Sequence, residues 1–369
     1  MKKFISAALV SAMMLTLLGS CQSGGGSSTA SESGTSSESS VSSSETASES
    51  SEESSEAPSE SSEEASSGAE KLGVEMNIAF LKGPTGLGAL ELMDANDKGE
   101  TAVDYNISLV ASADEIVSGI GSGEYDLAAA PTNLGSTLYN KTSGGVSIVA
   151  INTLGVLYVL EKGDVAVSTV EDLRGMDIIA SGEGSTAEYV LDYILSENGI
   201  DPETDANITY YTEHAEAATA LASAENAVAV LPQPFVTTVM NQDEGVSIAL
   251  DLTDEWEKVT DGAQLVMGSI IGRNEYIEAN PEAVDAFLDE YAASTDFVNN
   301  SVEEAAALSE SYDLFPAAVA SKAIPNCNIV FMEGEEMKAS AESFLQVMYD
   351  YEPSTVGGTL PGDDFYFAR

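Results

Sequence analysis

Positive charge is what this sequence has least of. Thirteen Lys and Arg stand against 62 Asp and Glu in 369 residues, with a single His, for a formal net charge of −49. Nucleic-acid phosphates are held by Lys and Arg that displace counterions, so the deficit excludes a nucleic-acid partner. It also disfavours docking of the folded surface on an anionic membrane face. Cysteine is nearly missing, with only Cys21 and Cys327, so no CxxC or Cys-rich iron motif exists. Together with the lone His this gives no visible ligand set, and neither metal nor cofactor is expected. No Gly-x-Ser-x-Gly elbow and no Walker loop occurs. Acids are so abundant that no single carboxylate pair stands out as an acid/base couple. The chain reads as a non-enzyme.

Long hydrophobic runs are also lacking. Lys2-Lys3 precedes an apolar run from Phe4 to Leu18, whose length at 1.5 Å per residue is about 22 Å, short of the ~30 Å hydrocarbon core. Residues 1–20 therefore read as a signal peptide. The run ends Leu18-Gly19-Ser20-Cys21, which resembles a bacterial lipobox. That resemblance implies removal of the leader and a palmitate-bearing lipid on Cys21 as membrane anchor. Ordinary signal cleavage beside an incidental Cys is the alternative. With Cys21 lipidated, Cys327 has no intramolecular disulfide partner. It reads as a small half-buried residue beside a turn, since no local motif would activate it.

From Gln22 to Gly68 the chain has no aromatic residue and only Val41 as a bulky aliphatic. Such a segment cannot bury enough apolar surface to offset its ordering entropy, so residues 21–70 read as a lipidated Cys and a disordered Ser/Glu-rich tether. As a flexible coil it spans about 35–40 Å on average, and its glutamates extend it further.

What remains alternates strand and helix. Apolar, β-branched runs at 74–80, 105–111, 126–130, 146–152 and 154–160 are separated by helix patterns at 87–95, 114–120 and 134–139. The grammar then restarts. Ser168 to Glu171 has the form of a capping box, Met176–Ala180 reads as a strand, and Ser181–Glu188 is a Gly-rich loop running into a helix. Gly199 sits where a left-handed helix end belongs. Strands at 207–211, 227–231 and 246–252 follow, with a helix at 214–224. After a strand at 265–271 the chain is mainly helical, with Pro281 as first helical residue and a second capping box from Ser301 to Glu304. This pattern predicts an α/β protein of mainly parallel sheets flanked by helices. Two lobes are expected, joined by two hinge crossovers: 71–161 plus 265–369, and 162–264 with the return hinge.

In this order the motifs resemble the type II periplasmic-binding-protein superfamily. More narrowly they resemble the nitrate/taurine/sulfonate (NitT/TauT) and thiamine-precursor class of ABC-importer substrate-binding proteins. The resemblance covers about residues 74–369. It rests on Lys82-Gly83-Pro84-Thr85, Glu171 through Ile178, Gly184-Ser185-Thr186, Val230 through Pro234 and Asn280 through Val284. It implies a two-lobed clamshell on the extracytoplasmic face, of Gram-positive-like type, that takes a small-molecule ligand to an ABC permease and its ATPase, as a monomer. A tethered sensor without transport is the alternative. A pyrimidine-synthase-like enzyme on the same fold would need the absent iron motif.

In open parallel sheets ligands sit beyond the carboxyl ends of strands, at helix N-termini. The loops at those ends nominate Lys82, Thr85, Thr132, Asn133, Asn152, Gly184, Ser185, Thr186 and Gln233 as ligand-binding residues. Lys82 is the only base among them. Ser185 with Glu188 also satisfies a capping box, a purely local role. Trp256 reads as hinge packing, and His214 as a cap or surface residue. Since Arg174, Arg273 and Arg369 fall outside these loops, the sequence leans towards a neutral or cationic ligand, such as a heteroaromatic vitamin precursor.

Overall fold

In the computed structural model, which describes residues 70–369, the run from Glu75 to Leu81 forms strand β1. Its period of two sends Met76, Ile78 and Phe80 into one core and Ala79 into another. The signal peptide, Cys21 and all but the last residue of the tether lie outside the described residues. The single helix expected over 87–95 is two, α1 (Pro84–Gly88) and α2 (Leu90–Lys98), because Ala89 leaves helical geometry at φ −95°, ψ 0°. There follow β2 (Asp104–Val110), α3 (Ala113–Ser122), β3 (Leu127–Pro131), α4 (Thr132–Thr142) and β4 (Val146–Leu154).

The second series runs β5 (Leu157–Lys162), β6 (Asp177–Ser181), α5 (Thr186–Glu197), β7 (Asn207–Tyr211), α6 (His214–Ser223), β8 (Ala227–Pro232), α7 (Phe235–Gln242), β9 (Val246–Asp251) and α8 (Leu252–Val259). Then come β10 (Val266–Arg273), α9 (Asn274–Ala279), α10 (Pro281–Asn300), α11 (Val302–Ser311), α12 (Ala317–Ala323), β11 (Ile329–Met332) and α13 (Gly334–Tyr351). Two expected capping boxes differ. The first sits one residue later, with Thr169 and Asp172 reciprocally bonded around a short 3₁₀ turn. At Ser301 the side chain caps nothing.

The strands form a six-stranded sheet, β11-β4-β10-β3-β1-β2, and a five-stranded sheet, β7-β6-β8-β5-β9. Both are mixed, although four strands of each, β1–β4 and β6–β9, run in one direction. β1 runs parallel to β2 and β3, but β10 is antiparallel to both β3 and β4, and β11 to β4. In the second sheet β6 is parallel to β7 and β8, while β5 is antiparallel to β8 and β9. The reason is connectivity. A chain that leaves one sheet directly for the other enters the second from its carboxyl edge, and so runs against the strands that βα units have laid down.

The first crossing is only Gly155 and Val156, between β4 and β5. β5 is accordingly a strand of the second sheet, although the expected division at 161 put it with the first. Its alternation decides the faces it serves, with Leu157 and Val159 in one core and Tyr158 and Leu160 in the other. The carboxyl-terminal helices do not keep to the first sheet. Phe344 and Leu345 of α13 share a core with Val190 and Ile194 of α5, and Val319 and Ala320 of α12 share one with Phe235 and Val236 of α7.

Trp256 fixes the return between β9 and β10. It is fully buried, packs against Tyr193 and Phe344 with ring centroids 5.2 and 5.6 Å away, and donates its indole N–H to the Ala263 carbonyl at 2.7 Å. Cys327 is wholly buried rather than half-buried, and desolvation raises its thiol pKa well above the ordinary range. Truncating Trp256 leaves a large cavity and leaves the Ala263 carbonyl only the longer, 3.5 Å bond from the Thr260 hydroxyl. Trp256→Ala should therefore lower unfolding free energy by about 3–5 kcal/mol in urea titrations.

Candidate functional site

The direction of each strand brings the functional loops together. β1, β3 and β4 end on one edge of the first sheet, and β10 starts there. In the second sheet β6 and β8 end at the edge where β5 starts, as the pairing of Leu157 with Pro232 shows. Since β4 passes into β5 through two residues, these carboxyl edges must face one another. The first turn of α8, in the return segment, lies beside the first crossing, and a Cβ on Gly155 would lie 2.2 Å from Thr253 Oγ1. Only glycine fits there.

Between the edges lies a cavity of about 70 Å³ lined by both sheets. Its walls include Leu81, Pro84, Ala130, Val156, Leu157, Pro232 and Met267, with Lys82, Thr85, Thr153, Ser185, Thr186 and His214 as polar groups. No Asp or Glu lines it. Helices α4, α5 and α6 begin at its margin, through Pro131, Ser185 and His214, and the first turns of helices leave N–H groups without intrahelical partners. A second hollow of similar size lies behind Ser185 and is walled by Asp114, Glu183 and Gly184. A third, of about 160 Å³, opens past Lys82 and His214 towards Phe235 and Phe315.

Local chemistry shapes the loop from β6 into α5. Gly182 has φ +85°, and a Cβ there would meet Ser185 Oγ at 2.7 Å. Ser185 Oγ donates to the Gly182 carbonyl at 2.6 Å and accepts the Ala187 N–H at 3.3 Å, so it is a helix cap as well as a cavity wall. The Gly184 N–H donates to the Glu188 carboxylate. Thr85 donates its hydroxyl to the Leu81 carbonyl at 2.9 Å. Lys82 is exposed at the rim and has no ion-pair partner among the described residues.

Five of the nine nominated ligand residues therefore line these hollows: Lys82, Thr85, Gly184, Ser185 and Thr186. The other four do not, and each is bonded within the protein. The Thr132 hydroxyl shares a 2.7 Å hydrogen bond with Ser269. Asn152 Nδ2 donates to the Tyr291 hydroxyl at 3.1 Å, and Gln233 Oε1 accepts from the Thr237 hydroxyl at 2.8 Å. Asn133 is a clasp between the sheets: it accepts the Thr186 hydroxyl at 2.9 Å and donates Nδ2 to the Thr355 carbonyl at 3.1 Å. Each is at most 3 % exposed. A strand-end position selects polar residues for closing the core as readily as for a ligand.

His214 is the residue that sequence reasoning placed wrongly. It opens α6 but contributes no cap. Its Nδ1 shares a 2.8 Å hydrogen bond with Ser181 Oγ, its ring lies 5.4 Å from that of Phe235, and it borders all three hollows. Desolvation lowers its pKa to about 4. Its place directly after strand β7 was the available signal. Among the described residues no group of three His, Cys, Asp or Glu side chains is set to hold a metal, and no helix is long and apolar enough to cross a membrane.

Residues 98–255, from the end of α2 to α8, match the family model described as ABC transporter, phosphonate, periplasmic substrate-binding protein. The fold is that of a periplasmic substrate-binding protein. An ABC transporter structure from Parabacteroides distasonis shares 21 % identity and a TM-score of 0.65, covering 80 % of this chain and 99 % of that one. The alkanesulfonate-binding protein SsuA of Xanthomonas axonopodis pv. citri, bound to MOPS, gives 15 % and 0.63, with 78 % and 95 % covered. The aliphatic sulphonate-binding SsuA of Escherichia coli gives 17 % and 0.63, with 80 % and 92 % covered. No curated protein matches the sequence. The likeness to these structures is one of fold, at 15–21 % identity, and the family match spans 158 of the 369 residues.

The desolvated, half-buried imidazole of His214 gives the protein a pH signature. Its folded pKa lies below the unfolded value, so between about pH 6.5 and 4 the unfolded chain binds the extra proton and stability falls as pH drops. Unfolding free energies should show wild type losing about 2–3 kcal/mol more than His214→Asn from pH 7 to 4.5. Equal losses would mean that the ring protonates freely in the folded state.

Proposed function

We propose that this protein is a lipid-anchored, monomeric receptor for a small organic oxyanion, a phosphonate or sulfonate. It would close its two lobes on the ligand and present it to an ABC permease and ATPase. One observation carries the ligand class. In a chain with almost five acids for every base, the cavity between the sheets is lined by no acid, and its only ionisable residues are Lys82 and His214. The N-terminal turns of α4, α5 and α6 add partial positive charge at the same margin. Two larger hollows of about 470 and 440 Å³ on the outer face of the second-sheet region are bordered by Glu197, Asp261 and Asp350, and by Asp192, Asp201 and Glu203. Acid is thus abundant around cavities elsewhere, and its exclusion from this one reverses the sequence's lean towards a neutral or cationic ligand.

The phosphonate family model and the sulfonate-bound relative support the same class, and a membership near the NitT/TauT proteins agrees with it. Lys82, Thr85, Gly184, Ser185 and Thr186 are the binding residues of this reading, with His214 added. Lys82 supplies a mobile charge at the rim, and Ser185 and Thr186 place α5 amides towards the ligand. Each sheet is the floor of one lobe, and the Gly155–Val156 and 252–265 crossings are the hinges.

Calorimetry with the chain from residue 22 onward tests the ligand class. Methylphosphonate or methanesulfonate should bind with 1:1 stoichiometry, and Lys82→Ala should weaken binding about ten- to a hundredfold. Neutral heterocycles should give no heat. Thiamine-like cations binding where oxyanions do not would reverse the assignment.

The anchor is tested separately. Cys21→Ser should abolish palmitate labelling and shift the protein from the membrane to the soluble fraction. A variant that stays labelled and membrane-bound would show that Cys21 is not the lipid site.

A further inference from the structure

The largest hollow at the junction is not needed by a bare oxyanion. The cavity past Lys82 and His214 has about 160 Å³, more than twice the volume of the one between the sheets. Its remaining walls are Ala111, Ala215, Phe235, Leu314, Phe315 and Glu213. Phe235, Leu314 and Phe315 are each 8 % exposed, so they are fixed walls and not surface groups folded over an opening. Phe235 meets Phe315 edge-to-face at 5.4 Å and His214 at 5.4 Å on its other side. Phe315 is held at both backbone groups by one buried hydroxyl. Ser309 Oγ accepts its N–H at 3.1 Å and donates to its carbonyl at 3.0 Å. Phe235 opens a helix of the second-sheet series, whereas Phe315 precedes α12, so the aromatic walls come from both sides of the junction.

We infer that this cavity is a tail subsite, and that the ligand is an oxyanion carrying an uncharged apolar group of about the size of a phenyl ring. The inference rests on the oxyanion reading above and adds the ligand's other end. A cavity of about 150 Å³ lined by apolar side chains accommodates benzene. The shared border at Lys82 and His214 sets the head in the first cavity and the tail in the second. Aromatic walls favour an aryl tail through edge and face contacts. Glu213 at the same cavity repels a tail that carries a second negative charge.

The test compares affinities for methanesulfonate, benzenesulfonate and 4-sulfobenzoate, and for methyl- and phenylphosphonate, by calorimetry on the chain from residue 22 onward. The aryl compounds should bind about tenfold or more tightly than their methyl counterparts. 4-Sulfobenzoate should bind more weakly than benzenesulfonate. Ala215→Leu, at an exposed helix position that folding tolerates, should collapse the aryl-to-methyl ratio towards one, and Phe315→Ala should lower it. Equal affinities for methyl and aryl compounds would overturn the tail subsite and leave the oxyanion reading standing. Absence of binding by all five would overturn both, and a ratio unchanged in Ala215→Leu would place the aryl group elsewhere.

Discussion

Everything at the junction depends on the two-residue crossing between β4 and β5. A connection that short fixes which edges of the two sheets meet, whatever the angle between them. The carboxyl edge of the first is tied directly to the carboxyl edge of the second, and the helices that follow β3, β6 and β7 must start in the space between. The mixed sheets follow from the same tie, because a strand entering from that edge runs antiparallel to its neighbours. So does glycine at 155, where the return segment leaves no room for a side chain. Hydrogen bonds between Asn133 and Thr186 then join α4 to α5 across the junction.

Electrostatics acts on this frame at short range. Residues 71–369 carry a net −40, yet surface charge of this kind is screened beyond about 8 Å at physiological ionic strength. What a ligand meets in the cavity is therefore its lining and not the protein's total charge. Lys82, His214 and the helix N-termini decide the sign there. The acids of the outer surface set the long-range potential of the domain and not the sign inside the cavity. Net charge bears on a nucleic-acid partner because that partner covers a wide surface. It bears little on a ligand that touches only a few loops.

Much of the fold was legible because it rests on local signals. The strands at β1, β4, β8 and β10 announce themselves as apolar runs, Gly182 and Gly184 mark the loop before α5, and Pro281 opens α10. The direction of β5, β10 and β11 was not legible, since βα spacing reads as parallel whichever sheet a strand joins. Four positions were nominated as polar side chains in loops at the carboxyl ends of strands. Thr132, Asn133, Asn152 and Gln233 have the right chemistry for a ligand but spend it on Ser269, Thr186, Tyr291 and Thr237, residues distant in sequence for all but the last. His214 failed in the opposite way. As the first residue of an Ala-rich helix it looks superficial, and only the pairing of β6 with β7 carries it to the junction, where Phe235 closes over it.

The central claim is that the cavity between the sheets is built for an anion. A crystal structure of the protein with bound phenylphosphonate tests it most directly. The account predicts the phosphonate oxygens within about 2.7–3.2 Å of first-turn N–H groups of α5 and of Lys82 Nζ, inside the acid-free cavity. A headgroup lying instead in an outer groove, away from Lys82 and His214, would contradict it.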